Sequence, residues 1–205
     1  MEDKNPKDGD GDTPLHFTDS PDVYKIIMSE TTDKNPKNKR GFTPLHHSAM
    51  LGFSEVCQVI LENVDEKNPV DEEGTTPLHL AARGGKKNIF RLIFEQVAEK
   101  NPVDGKGNTP LHYAATQNEC TRQCEYCEPT PLKDYLDICQ LILDNVVDKH
   151  PVNNLGHTPL DLARGAEEDE EPHYHFGNFI RHSDEELLEV EKCWLPFKEV
   201  PEPAE

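Results

Sequence analysis

The chain has 205 residues, 34% of them hydrophobic, and its 40 Asp and Glu against 21 Lys and Arg leave a net charge of −19. That acid surplus argues against nucleic acid or an anionic membrane as partner, because both are held by Lys and Arg neutralising phosphates, and it makes a basic protein the natural complement. No run of about 18 apolar residues could span a bilayer and Met1-Glu2-Asp3-Lys4 opens no apolar signal segment, so the chain is expected in the cytoplasm, with the nucleus open to it, as a monomer whose six cysteines are reduced.

An internal repeat organises the chain. Lys-Asn-Pro begins at residues 4, 34, 67 and 100, with Lys149-His150-Pro151 as a variant, and nine residues after each lysine a Thr-Pro-Leu triplet opens, at Thr13, Thr43, Thr76, Thr109 and Thr158. Thr before Pro before an apolar residue predicts a helix start, since Thr caps free N–H groups and Pro suits the first helical position, where no donor is needed. The turns between units are polar and rich in Asp, Asn and Gly, with no strand signal.

In chain order, the first unit is three residues short, so its first helix loses most of a turn; its second carries Val23, Ile26 and Ile27. The second unit continues Thr43 with His46, Ser48 and Ala49, has Gly52 as a left-handed helix end, and places Val56, Val59 and Ile60 on its second helix. The third, Gly74-Thr75-Thr76-Pro77-Leu78-His79-Leu80-Ala81-Ala82, repeats this with Gly85, Ile89, Leu92 and Ile93. The fourth has His112 and Ala114-Ala115, then about sixteen extra residues (119–134), then Ile138, Leu141 and Ile142. In the fifth, Asp161 replaces His and Arg164 replaces the second Ala; an acidic run, Glu167 to Glu171, precedes a second helix ending near Phe179-Ile180. Residues 183–205 form an acidic tail, where Ser183-Asp184-Glu185-Glu186 reads as a capping box for a short helix folded back over the last unit. Residues 166–205 hold thirteen acids and three bases.

Gly-x-Thr-Pro-Leu-His-x-Ala-Ala with a period of 33 residues resembles the ankyrin repeat. The resemblance spans residues 4–182 and implies an all-α solenoid of five helix-turn-helix units joined by hairpin-like turns. It implies a protein-interaction module, a scaffold or adaptor, that grips its partner with turn tips and the concave face of the first helices. By that likeness the tip positions are Lys39, Arg40, Phe42, Glu72, Glu73, Thr75, Lys106, Asn108, Leu155 and His157, and the helix positions are Met50, Leu51, Arg83, Thr116 and Gln117. Phe42, Met50 and Leu51 are expected to be exposed apolar contacts. Repeats followed by an acidic, Pro- and Glu-rich segment also resemble inhibitors that mask the basic surface of Rel-type transcription factors.

Chemistry has little foothold. No Ser/His/Asp set, phosphate-cradling loop or paired carboxylate stands out, so no enzyme activity and no cofactor is expected. Cys120, Cys124 and Cys127 have the spacing of a radical S-adenosylmethionine cluster motif, but the barrel that such chemistry requires is missing from the pattern. As a zinc- or redox-linked site they lack an evident fourth ligand. Reduced thiols in a loop is the plain alternative. Cys57 and Cys139 share a repeat position with Tyr24 and Phe90, which makes them packing residues. The repeated histidines are expected to bond backbone groups between repeats rather than a metal.

Overall fold

A computed structural model describes residues 5–116 and 130–164, with Lys192 alone beyond them. Among the described residues there are helices and turns and no strand. Helices come in pairs: α1 (Pro14–Phe17) and α2 (Pro21–Glu30), α3 (Pro44–Leu51) and α4 (Ser54–Asn63), α5 (Pro77–Arg83) and α6 (Lys87–Gln96), α7 (Pro110–Thr116) and α8 (Leu132–Asn145), with α9 (Pro159–Ala163) opening the fifth unit. Each first helix packs on the next first helix and each second on the next second. No unit buries its apolar face alone; the stack makes one continuous core.

The core is the repeat seen edge-on. Leu15, Leu45, Leu78 and Leu111 occupy one position and are buried, and Ala49, Ala81, Ala82, Ala114, Ala115 and Ala163 allow first helices to approach closely. On the second helices Tyr24, Cys57, Phe90 and Cys139 are all buried, as their shared register requires. Burial pushes the Cys57 thiol up to about 12, so it stays protonated and inert. Val56 and Val59 are covered by the preceding unit, whereas their counterparts Val23 and Ile26 stand exposed.

The Thr-Pro-Leu-His start works at two ranges. Thr13, Thr43, Thr76 and Thr158 are extended N-cap residues with Pro behind them. In the first four units the threonine N–H donates to the Nδ1 of the histidine three residues on, at 3.0–3.1 Å. Nδ1 must therefore be the bare nitrogen, leaving Nε2–H to donate. It does so across the repeat boundary: His16 to Phe42 O, His46 to Thr75 O, His79 to Asn108 O and His112 to His157 O, at 3.1–3.2 Å. The expectation of backbone bonding between repeats holds. Asp161 keeps only the local half, accepting from Thr158 N–H at 2.9 Å and Oγ1 at 2.7 Å.

The turns stack by a second rule. Asp8, Asn38, Asp71, Asp104 and Asn153 each use Oδ1 to accept N–H bonds from two and four residues ahead. Adjacent tips are tied by single backbone bonds: Lys39 N–H to Asp10 O, Glu72 N–H to Arg40 O, Gly105 N–H to Glu73 O and Asn154 N–H to Lys106 O. The Lys-Asn-Pro phrase has a role as well. Lys67 Nζ donates to the carbonyls of Leu61 and Val64 at the end of α4, and Lys100 does the same to Phe94 O while lying over the Phe94 ring. A cation there offsets the carbonyl end of the helix.

Each tip turns through a glycine with positive φ, and Gly107 (φ +80) is the most crowded: a Cβ would stand 2.7 Å from the Asn154 backbone nitrogen. Gly107→Ala is expected to cost about 2 kcal/mol and roughly 4–8 °C of Tm, measured by thermal circular dichroism. Gly156→Ala shares the conformation (φ +85) in open space and should lose less. Equal losses would mean that backbone strain alone, not the approach of the next turn, sets the requirement.

Two boundaries differ from the sequence reading. The last residues of the insertion are helix rather than loop, because extended Pro131 caps α8 and residues 132–134 belong to its first turn, making α8 14 residues long where α4 and α6 have 10. Both Gly52 and Gly85 have positive φ, but α5 is capped by Gly84, one residue before Gly85. The cysteines of the insertion, the second helix of the fifth unit and the tail apart from Lys192 lie outside the described residues.

Candidate partner-binding surface

Positions 47, 80 and 113, the variable residue of Thr-Pro-Leu-His-x, lie three before 50, 83 and 116, so each pair shares one helix face beside the turns. Between the second, third and fourth units this face holds a depression of about 130 Å³. Arg40, Phe42 and Met50 line it from the second unit, Asp71, Glu73, Thr75, Leu80 and Arg83 from the third, and Tyr113 from the fourth. Its floor is apolar and its rim carries both signs of charge.

Several expected contacts converge here: Arg40, Met50, Glu73 and Arg83 all reach the depression, and Arg40 and Glu73 are exposed. Lys39, Glu72, Lys106 and Leu155 stand exposed on the tips beside it, and Lys39 Nζ donates to Gly9 O at 2.6 Å. Leu51 is 48% exposed but does not line the depression. His157 is half-buried, its carbonyl taken by His112. Gln117 and the three insertion cysteines lie outside the described residues.

Four expectations of exposure need correcting. Phe42 is only 6% exposed, its ring stacked on His46 at 5.0 Å, edge-on to His47 at 5.6 Å and beneath the Arg40 guanidinium at 5.3 Å. It is a core residue whose edge reaches the surface. Thr75 and Asn108 are buried because the residue before each cap threonine offers its carbonyl to the preceding repeat's histidine. Asn108 also accepts from Asn153 Nδ2 at 2.9 Å. Thr116 is buried too, its hydroxyl donating to Tyr113 O.

Sequence reasoning missed Asp71, Leu80 and Tyr113. The i, i+3 relation of Leu80 to Arg83 would have found Leu80. The Tyr113 hydroxyl donates to Asp104 Oδ2 at 2.9 Å and the ring meets His79 edge-on, so one side chain serves both the surface and the turn. Burial raises the Asp71 carboxyl above its usual range, against the pull of the N–H groups of Thr75 and Glu73. A second depression, of about 430 Å³, lies at the other end of the helices by Lys86, Lys87, Thr130 and Asp134, where Lys87 is paired to Asp134 and Asp137.

Among the described residues no three or more His, Cys, Asp or Glu are grouped to hold a metal, and no helix is long and apolar enough to cross a membrane. The comparisons agree with the geometry. A family model described as ankyrin repeats (3 copies) matches residues 16–104 and 63–126, and one described as ankyrin repeat matches 106–154. The chain belongs to the ankyrin-repeat family. No curated relative matches it at significance. The helix of the fifth unit lies beyond the matched residues, yet α9 opens with the same Thr-Pro-Leu cap.

Proposed function

We propose that this chain is a scaffold or adaptor that captures a segment of another protein in the depression formed by its second, third and fourth repeats. Ankyrin repeats are protein-interaction modules, and the observation that carries the reading is the convergence of half-exposed Met50 and Arg83 with exposed Arg40 and Glu73 around an apolar floor. An apolar anchor point ringed by charge is how interface cores are built. The double substitution Met50→Ala/Arg83→Ala is expected to weaken partner capture at least ten-fold, about 1.4 kcal/mol or more, with Tm unchanged. Quantitative mass spectrometry of proteins retained from lysate reads this, with Gln58→Ala/Arg91→Ala on the opposite helices as the control. Retention that survives the first pair, or falls equally with both, would remove the reading.

A second reading, masking of a basic surface on a DNA-binding protein, is favoured by the charge of −19. In the same experiment its partner would be released as salt rises, because long-range attraction is screened. Capture indifferent to salt would dismiss it.

A further inference from the structure

If the depression captures a protein segment, as proposed, the charges around it specify what kind of segment it takes. Adjacent tips carry opposite charge: Lys39 and Arg40 on the second repeat, Glu72 and Glu73 on the third, all exposed. The tips are in register, since Arg40 and Glu73 each donate N–H to the Asx side chain two residues back, and Glu72 N–H donates to Arg40 O at 3.0 Å. Packed helices lie about 10 Å apart. An extended chain covers that distance in about three residues, a helix in about seven. Between the tips, Met50 and Leu80 form an apolar floor beneath about 130 Å³ of space, room for one medium-sized side chain.

We infer that the site takes an extended segment of another protein in which an acidic and a basic residue stand three positions apart with an apolar residue between them. The acid faces Lys39 and Arg40, the base faces Glu72 and Glu73, and the apolar side chain rests on Met50 and Leu80. Charge complementarity selects this class. A nucleic acid offers no fixed cation for the two glutamates, and an anionic membrane surface would be repelled by them.

A phage-displayed dodecapeptide library panned on the full chain tests the inference. The selected peptides are expected to share the acid–base pair at a spacing of three around an apolar residue. A synthetic copy of the best one should bind Arg40→Glu at least ten-fold more weakly and recover when its own acid is exchanged for lysine. Peptides that need Met50 (binding lost in Met50→Arg) but lack the charge pair, or carry it seven apart, would overturn the inference and leave the scaffold reading standing. Peptides indifferent to Met50→Arg would end both. The chain itself contains matching sequences: Asp22-Val23-Tyr24-Lys25 is held in α2 and Asp161-Leu162-Ala163-Arg164 in α9 and its C-cap, whereas Glu189-Val190-Glu191-Lys192 lies in the tail. If Glu189→Ala/Lys192→Ala in the full chain raised peptide affinity ten-fold, the occupant would be the chain's own segment and the assignment to another protein would be wrong.

Discussion

Replacing His79 with alanine is expected to lower the unfolding free energy by about 3 kcal/mol, a large share of the roughly 5–15 kcal/mol that holds a typical domain. The ring is fully buried. Its Nδ1 accepts from Thr76 N–H at 3.1 Å and its Nε2–H reaches Asn108 O at 3.2 Å in the next repeat. Alanine strands both backbone groups, each at about 1–3 kcal/mol when buried, and opens a gap beside Tyr113, whose ring sits 5.3 Å away. His79→Asn separates the two functions, because a short acceptor can still cap Thr76 but cannot cross to the next repeat. Asp161 does this in the fifth unit, where it holds Thr158 and nothing beyond. The asparagine variant should therefore lose about half as much. Denaturant unfolding read by circular dichroism measures both. A loss below about 1 kcal/mol for the alanine variant would mean that the histidine does not couple neighbouring repeats.

The helix starts were legible because their chemistry is local: Thr, Pro, Leu and His act within one turn, so their order alone announces a cap. The cross-repeat half of the histidine's role was also within reach, since a buried polar ring recurring at one position needs a partner that recurs as well. Less legible was which tip residues face solvent. Phe42, Thr75 and Asn108 hold the same place in three turns, and their burial follows from a carbonyl bonded to a residue about 26–29 positions earlier, a relation with no local signature. Tyr113 escaped notice for a related reason: its ring is fixed by Asp104 nine residues back across the turn. The lysines of Lys-Asn-Pro marked the repeat, but their closing of the preceding helix shows only in space, where Lys67 stands beside the carbonyls of α4.

Acidification from pH 7.5 to 5.5 is expected to destabilise the stack, although it moves a strongly acidic protein toward neutrality. Burial holds His46 down at about 3 and depresses His16, His79 and His112 below their usual value, against opposing pulls from Asp12 on His16 and Asp104 on His79 and His112. The sign follows from the tautomer. A proton on Nδ1 would evict the threonine N–H that it accepts, so the folded state prefers the neutral ring while the unfolded chain takes up a proton near pH 6.5. The stabilisation is thus complete above 6.5, is lost as pH falls below it, and levels off only near the folded-state values. Over this interval a ring that stays neutral in the fold, as His46 does, loses about 1.4 kcal/mol, and the lowered His16, His79 and His112 act in the same direction. Relief of carboxylate repulsion acts mostly at lower pH, near the carboxylate range, and so does not mask the trend. Unfolding free energies at the two pH values, compared with His46→Asn, measure it: the variant should lose about 1.4 kcal/mol less over the interval, a mean slope smaller by about half a proton. Stability that rose on acidification, or a variant with an unchanged slope, would mean that the histidines carry their protons inside the fold and that the bond pattern assigned to them is incorrect.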